Sequence, residues 1–322
     1  MRHSLRVFLW ALFLVPVSVP AWAATGRCTV AERKSADQQL WLNVRDQQAS
    51  IMTHLPWGEP TESVAAFPER RLIQRDYVIR YDDDLKIPVF TAERVDASRF
   101  KKKIPRTDCF RPDPRIPAPL ASKPKDYEEP IFDQGHLAAF ADQATSVIAG
   151  NNSFVMSNMA PQTCQFNRGI WQILEGIVRV WVAERKTVYV ISGSIMDRDA
   201  DGVRDEDNLA ARMNANNHTN LVAIPTAFYK IVSSQNTDGS VETLTIVLPH
   251  NQANPDRNDA LAYLQNHITT VGDIEHRTGL GFFPQHPVIH EAITLWPFDQ
   301  SKMPNSLCHA VPDPAFEQIW QH

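Results

Sequence analysis

Three short runs of sequence decide the fold of this chain. Residues 133–136 read DQGH, residues 156–162 read MSNMAPQ, and residues 166–184 read FNRGIWQILEGIVRVWVAE. The third run predicts a helix over residues 167–184, because apolar side chains recur at spacings of three and four: Ile170, Ile173, Leu174, Ile177, Val178 and Trp181. The same helix carries a partly polar stripe, whose members stand at intervals of four residues: Asn167, Trp171, Glu175 and Arg179.

This stripe has two interpretations. The first is a solvated helix face with a Glu175–Arg179 pair, which adds about 0.3–0.5 kcal/mol and is common on protein surfaces. The second is a platform for a divalent cation and a phosphate. The amide oxygen of Asn167 is a hard ligand that suits Mg²⁺, a carboxylate can orient the waters of the ion, and a guanidinium can bind phosphate through two hydrogen bonds. The helix alone favours the first interpretation.

The order of the three runs changes that balance, because it resembles the DNA/RNA non-specific endonuclease family of ββα-metal nucleases. The family signature is Asp-Arg-Gly-His, a later Ser-Asn-x-x-Pro-Gln, and Asn-x-Gly-x-Trp followed by a Leu-Glu pair. Here Asn158 precedes Asn167 by nine residues, and Glu175 follows Asn167 by eight. Weaker similarity extends outward from residue 77, through RTDCFRPDP at 106–114, to HRTGLGFFP at 276–284. Three linked motifs at matching spacing are far more specific than one.

The resemblance implies a role for each motif residue. His136 would be the general base, since an imidazole that titrates near neutrality can take a proton from water. Asn167 would be the sole direct protein ligand of a hydrated Mg²⁺, with Mn²⁺ as a possible substitute. Glu175 would bind the waters of the ion, Arg179 would neutralise charge on the phosphate, and Asn158 would position this arrangement.

One residue departs from the family pattern. Gln134 stands where the family has an Arg, so the tetrapeptide keeps a hydrogen-bonding side chain but loses a charge and a planar fork. Either Arg106 or Arg111, in the basic stretch 99–125, could supply the missing charge to substrate. The resemblance therefore implies a Mg²⁺-dependent endonuclease acting on DNA and RNA. The competing interpretations are an inactive nuclease-like protein that binds nucleic acid, and a phosphodiesterase with a smaller substrate.

The remaining elements indicate an α+β fold. Strands are predicted over five segments: 77–81, 88–95, 187–194, 221–232 and 241–248. Further helices are predicted over 36–52 and over 259–278, the latter ending at Gly279. The order of these elements lacks a regular βαβ rhythm. The resemblance adds a ββα-metal nuclease fold with a mixed or antiparallel central sheet flanked by helices, over residues 71–322, after an N-terminal extension at 24–70.

The first 23 residues predict a signal peptide. Arg2 and Arg6 precede an apolar run over 7–19, and Ala21-Trp22-Ala23 suits a small-x-small cleavage site. We expect a periplasmic or secreted protein with no membrane partner after cleavage. The oligomeric state cannot be inferred from the sequence.

Export makes disulfides plausible for the four cysteines, which are Cys28, Cys109, Cys164 and Cys308. Four cysteines allow three pairings. The interpretation favoured here joins Cys28 to Cys308, tying the termini together, and Cys109 to Cys164 near the candidate site.

Residues 197–205 read DRDADGVRD, which follows the alternating spacing of a calcium loop. The predicted ligands of a structural Ca²⁺ are the carboxylates and one main-chain carbonyl at alternate positions: Asp197, Asp199, Asp201, Val203 and Asp205. Asn208 stands where an EF-hand has its bidentate Glu, so the pattern is incomplete. The alternative is an acidic, solvated loop.

Composition limits how the protein can bind nucleic acid. Of 322 residues, 43% are hydrophobic and 21% charged, which is typical of a soluble globular protein and excludes disordered, collagen-like and coiled-coil classes. The formal net charge is −5, and loss of the signal peptide with its two Arg makes it more negative. An acidic chain is not expected to bind nucleic acid by bulk charge. Attraction would have to be local.

Overall fold

The computed structural model describes residues 28–62, 69–101, 104–127, 129–213, 221–286, 289–291 and 296–320. The predicted signal peptide lies outside these ranges. Within them, no helix combines the length and the apolar character that crossing a bilayer requires.

The described residues form strands and helices in a mixed order. The strands are β1 (Thr61–Glu62), β2 (Glu69–Ile73), β3 (Val78–Asp82), β4 (Ile87–Asp96), β5 (Phe132–His136), β6 (Met159–Thr163), β7 (Thr187–Ile195), β8 (Ala227–Gln235), β9 (Val241–Pro249), β10 (Ile268–Thr269), β11 (Leu280–Gly281) and β12 (Ile289–Glu291). The α-helices are α1 (Val30–Gln39), α2 (Val44–His54), α3 (Phe140–Gln143), α4 (Val147–Asn152), α5 (Gln172–Arg185), α6 (Arg257–Asn266), α7 (Val271–Thr278) and α8 (Pro314–Ile319).

A long, mostly antiparallel sheet organises the molecule. Its strands lie in the order β10-β9-β8-β7-β4-β3-β2, and β12 joins β9 in parallel, so the sheet is mixed. Side chains alternate between its two faces. On one face Val190, Phe228 and Val232 pack with the apolar side of α5. The other face packs in a separate core with residues of α2 and α7. The predicted α+β fold is confirmed.

The candidate site lies on a smaller unit beside this sheet. Strands β5 and β6 pair antiparallel, with His136 opposite Met159, and the chain then enters a π-helical turn over Phe166–Trp171 that continues into α5. This is a ββα unit. A side chain at Gly135 would overlap the amide of Gln162, so the hairpin requires glycine there.

The predicted helix over 167–184 is confirmed from Gln172 onward. Its first turn is wider than an α-helix, because the backbone at Gly169 has non-helical angles (φ −105°, ψ −111°). Turns of this type frequently occur at functional sites. Here the irregular turn contains Asn167, the predicted metal ligand.

Two of the predicted helices are in fact pairs of helices. The segment 259–278 divides into α6 and α7 around β10, because Thr270 caps α7 by accepting a hydrogen bond from the Asp273 amide. The segment 36–52 divides into α1 and α2, and Asn43 caps the second. The strand predicted over 221–232 begins only at Ala227, just after Pro225.

The favoured disulfide pairing is wrong. The structure joins Cys28 to Cys109 and Cys164 to Cys308, with Cα–Cα distances of 5.0 Å and 5.6 Å. Packing of α1 beside α4 brings Cys28 to the basic loop. The C-terminal segment passes next to the π-helical turn, which brings Cys308 to Cys164. Both contacts depend on tertiary packing, which sequence spacing does not show.

Candidate active site

A single pocket brings together most of the residues predicted for the nuclease site, the acidic loop apart. It encloses about 750 Å³, and its walls include six of them: Arg106, Gln134, His136, Asn167, Glu175 and Arg179. Strand β5 supplies Gln134 and His136, the π-helical turn supplies Asn167, and α5 supplies Glu175 and Arg179. The helical spacing explains this arrangement, since residues four apart project from the same side.

His136 lies at the end of β5 in an aromatic setting. The rings of Phe154 and Phe110 meet its imidazole edge-on, with centroids 4.9 Å and 5.9 Å away. Burial lowers the pKa of His136 well below its usual range, and the positive charge of Arg106 lowers it further. The imidazole is therefore neutral at pH 7. Its buried Nε2 has no hydrogen-bond partner among the described residues, so a neutral base with an unpartnered nitrogen forms part of the pocket wall.

Asn158 is buried behind the pocket. Its Oδ1 accepts a hydrogen bond from the Ala138 amide at 2.9 Å, and its Nδ2 donates to the carbonyls of Ala138 and Ser153 at 3.0 Å and 2.8 Å. These bonds fix the turn that follows His136. Such contacts suit a residue that positions the base.

Asn167 donates from Nδ2 to Oδ2 of Asp133 at 2.9 Å. Within the part of the chain described, no hydrogen bond uses its amide oxygen. Arg168 also binds Asp133, at 2.8 Å and 2.5 Å, which neutralises that carboxylate. A hard amide oxygen near the carboxylate of Glu175 and an unpartnered imidazole nitrogen is a donor set that fits a hydrated Mg²⁺ or Mn²⁺.

Glu175 and Arg179 do not form the simple surface pair that the helix alone suggests. Arg179 instead contacts Asp142 of α3, at 3.3 Å. Burial raises the pKa of Glu175 to about 7, although the positive charges of Arg179 and Lys230 oppose that shift. A carboxyl whose pKa is raised by burial differs from the solvated surface carboxylate that the first interpretation assumes.

The two candidate substrate-binding arginines differ completely. Arg106 lines the pocket, is about half exposed, and lies 4.8 Å from the ring centroid of Phe154. Arg111 is 2% exposed and binds Asp37 at 2.6 Å and Asn152 Oδ1 at 2.7 Å. The structure therefore corrects the expectation that Arg111 contacts substrate. It is a structural residue that ties α1 to α4.

Gln134 does not replace the charge of the family arginine. Its Nε2 donates to the carbonyl of Pro124 at 3.3 Å, along the wall of the pocket. Arg106 therefore remains as the predicted source of that charge.

Several residues of the site were missed by sequence reasoning. Asp133 orients Asn167, and Asp142 holds Arg179, but acidic residues are too common for either role to be evident beforehand. Trp171 donates from Nε1 to the carbonyl of His136 at 3.1 Å, which joins the helix to β5. The clearest unused signal was Lys230, a single charge inside the apolar strand AFYKIV.

The acidic loop gathers three of its predicted calcium ligands. Carboxylate oxygens of Asp197, Asp199 and Asp201 lie within 4.8 Å of one another. Asp197 is 6% exposed, and its Oδ1 has no hydrogen-bond partner in the described residues. Asp205 is not part of this group and accepts a hydrogen bond from the Arg198 amide at 2.5 Å. Val203 follows the three carboxylates in the same loop.

The fold and the pocket define a class of protein. A β-hairpin that leads into a helix, with His, Asn, Glu and Arg around one cavity, is the arrangement of the ββα-metal nucleases. The model of the DNA/RNA non-specific endonuclease family matches residues 64–288, and the chain belongs to that family. The protein is therefore a nuclease, an enzyme that hydrolyses phosphodiester bonds.

Individual relatives agree with this assignment. The chain is 30% identical to mitochondrial endonuclease G of Homo sapiens over an alignment of 214 residues. That alignment covers 66% of this chain and 68% of the human protein. It is 30% identical over 234 residues to nuclease C1 of Cunninghamella echinulata var. echinulata, spanning 69% and 88%. A chain in the crystal structure of the EndoG/EndoGI complex superposes with a TM-score of 0.60 and 26% identity, over 73% of this chain and 92% of that one.

Proposed function

We propose that the protein is an exported, Mg²⁺-dependent endonuclease that cleaves DNA and RNA without sequence preference. The observation that carries the proposal is the free Nε2 of a neutral His136 in the same pocket as Asn167 and Glu175. A general base must be deprotonated and within reach of the proton it takes. Burial supports the first condition for His136, and its place in the wall of the pocket supports the second.

In the proposed reaction, His136 transfers the proton, and Asn167 and Glu175 hold the metal. His136 takes a proton from a water molecule as the water oxygen attacks phosphorus, and the bond from phosphorus to the leaving 3′ oxygen breaks. That oxygen receives its proton from solvent. Asn167 would hold the metal through its amide oxygen and Glu175 through intervening waters. When bound, Mg²⁺ supplies positive charge to the phosphate and the leaving oxygen.

Two arginines of the pocket would neutralise the negative charge of the phosphate. Arg179, held by Asp142, would neutralise the negative charge that builds up on the phosphate oxygens. Arg106 would bind a phosphate at the pocket edge in place of the arginine that Gln134 replaces, and Asn158 would keep His136 in position. Groups directed at phosphate read the backbone and carry no base information. A lack of sequence preference, and acceptance of both DNA and RNA, follow from this.

Export is supported by the covalent structure. Two disulfides account for all four cysteines, and disulfides are usual in oxidising compartments. We accordingly propose that residues 1–23 are a signal peptide and that the mature enzyme is periplasmic or secreted. Residues 24–70 would be an extension to a nuclease domain at 71–322.

A structural Ca²⁺ in the acidic loop is the second part of the proposal. The supporting observation is the Oδ1 atom of Asp197, because a nearly buried carboxylate oxygen without a hydrogen-bond partner is costly unless a cation binds that oxygen. Asp199 and Asp201 would complete the carboxylate ligands, with the main-chain carbonyl of Val203 as a further oxygen. Asp205 would have to release the Arg198 amide in order to join them. A melting temperature that depends on Ca²⁺ tests this site.

Cleavage of plasmid DNA and of structured RNA tests the main proposal. Wild-type protein with Mg²⁺ should degrade both, EDTA should stop the reaction, and His136→Ala should reduce the rate by about 10²–10⁴. Protein that binds DNA but cleaves neither polymer with any divalent ion would support the non-catalytic alternative. Cleavage confined to a small diester, such as bis-p-nitrophenyl phosphate, would support a phosphodiesterase instead. Undiminished activity of His136→Ala would overturn the assignment of the base.

A further inference from the structure

Lys230 is a buried lysine that lies under the π-helical turn at the start of α5. It lies in strand β8 at the centre of the sheet and is 3% exposed. Its ammonium group donates to Ser192 Oγ on the neighbouring strand at 2.5 Å and lies 4.2 Å from the ring centroid of Trp171. Taking an ammonium group out of water costs several kcal/mol unless other charges compensate it. A lysine in this position therefore has specific partners.

The compensation comes from a cluster of charges between the sheet and the pocket. Glu93 on β4 accepts a hydrogen bond from Gln143 at 2.5 Å and lies 3.9 Å from Arg99. Burial lowers the pKa of Lys230, and the negative charges of Glu175, Glu93 and Asp142 oppose that shift by stabilising its protonated form. The cluster contains three acidic and three basic side chains: Glu93, Asp142, Glu175, Arg99, Arg179 and Lys230. Its charges balance when all six are ionised.

Trp171 connects Lys230 to the catalytic base. The indole ring packs on the ammonium group, while Nε1 donates to the carbonyl of His136 at 3.1 Å. Trp171 also stands one turn from Asn167 and one turn from Glu175. The attraction between a cation and an indole face is strongest when both are desolvated, as they are here. The contact therefore fixes the irregular turn on which the site depends.

We propose that Lys230 is a positioning residue for the cleavage reaction: its ammonium group holds Trp171 beneath His136 and offsets the carboxylate charge of Glu175. Lys230 does not line the pocket, so it acts through these side chains and not on substrate. This inference rests on the proposed function, because it concerns the rate of the same reaction. It adds a residue that lies outside all three sequence motifs.

Lys230→Met is the variant that tests the role, since methionine is unbranched, similar in length and uncharged. The matched control is Thr245→Val, a nearly isosteric change at a buried position of strand β9. Thr245 pairs with Ile231, so it projects from the opposite face of the sheet. Both variants are assayed with Mg²⁺ on a fluorescent oligonucleotide, well below their melting temperatures. kcat and KM are determined separately.

The expected result is a kcat about tenfold lower for Lys230→Met with KM within twofold of wild type, and unchanged constants for Thr245→Val. A lysine that only stabilises the fold would lower the melting temperature and leave kcat of the folded protein unchanged, and that outcome overturns the inference. So does a rise in KM alone, which would indicate substrate contact.

If Lys230→Met does not fold, the single variant Glu93→Gln is compared with the double variant that carries both Glu93→Gln and Lys230→Met. The double variant removes one buried acidic and one buried basic group, so it is the better candidate to fold. The same criteria then apply relative to Glu93→Gln. These outcomes are separate from failure of the proposed function, in which wild type itself would not cleave nucleic acid.

Discussion

Asn167 donates a hydrogen bond from Nδ2 to Oδ2 of Asp133 across 2.9 Å, which joins the first and last of the three sequence runs. The bond fixes which way the amide is turned. With the nitrogen on Asp133, the amide oxygen is left for the pocket. Asp133 therefore determines the metal-binding orientation of Asn167, although it would not touch the ion itself.

Replacing Asp133 should weaken metal binding. In Asp133→Ala the Asn167 amide loses its orienting acceptor, and we expect the Mg²⁺ concentration for half-maximal activity to rise about 10- to 100-fold, as is usual when such supporting contacts are lost. This concentration is measured by titrating the activity with Mg²⁺ at saturating substrate. Arg168→Met is the control, because it removes the other partner of Asp133 and leaves the Asn167 bond. If Asp133→Ala and wild type reached half-maximal activity at the same Mg²⁺ concentration, the orientation of the Asn167 amide by Asp133 would not matter for metal binding.

The pH dependence should follow Glu175 and not His136. Glu175 must be ionised to hold the waters of the metal, and its pKa of about 7 in the structure means that activity is present above pH 7 and lost as pH falls through it. The pKa of His136 is far lower, so this base stays neutral over the same range. A profile of kcat/KM from pH 5 to 9 checks the expectation. Glu175→Gln should be slow at every pH and should lack this acidic limb.

A limb that persists in Glu175→Gln would assign the titration to another group. The nearby groups whose charges act on Glu175 are Arg179 on the same helix, Lys230 on β8, Asp142 on α3 and Arg106 in the basic loop. Beyond these four, burial raises the pKa of Glu93 on β4 to about 8, so Glu93→Gln would then be the next variant to examine.

The two arginines of the basic stretch should respond in opposite ways. Arg106→Ala removes a half-exposed charge at the pocket, so we expect KM to rise about tenfold and the salt dependence of binding to fall by about one phosphate contact, with little loss of stability. Arg111→Met breaks a buried ion pair and its hydrogen bonds, so we expect about 3 kcal/mol less stability and an unchanged KM. Urea denaturation and steady-state kinetics on both variants measure these effects. The opposite pattern would restore Arg111 as the substrate ligand.

Much of this site could be predicted from the sequence because its determinants are local. The helical period alone predicts that Asn167, Glu175 and Arg179 share one side of a helix, and the motif order supplies His136. The division between α6 and α7 was missed because one capping bond at Thr270 outweighs the helical pattern around it. The wide turn at Gly169 was likewise not evident from spacing.

The remaining errors concern contacts between distant segments. Arg106 and Arg111 stand in the same basic stretch, and only the docking of α1 decides that Arg111 is buried on Asp37. The disulfides depend on the same packing. The partners of Lys230 come from two strands, two helices and the π-helical turn, so no local pattern could reveal its role.

The acidic loop should bind Ca²⁺ without taking part in catalysis. Extracellular calcium modules bind with Kd values of about 10⁻⁴–10⁻³ M, so 10 mM Ca²⁺ should stabilise the fold by roughly 1.4–2.7 kcal/mol. For a chain of this size that corresponds to a melting temperature about 2–4 °C higher than in chelator. Asp197→Asn should abolish the increase, because it removes the charge of the one buried carboxylate of the loop, and should leave kcat with Mg²⁺ unchanged. Asp238→Asn, an exposed acid in a hairpin turn, should keep the full increase. A melting temperature of wild type that does not respond to Ca²⁺ would identify the loop as a solvated acidic turn.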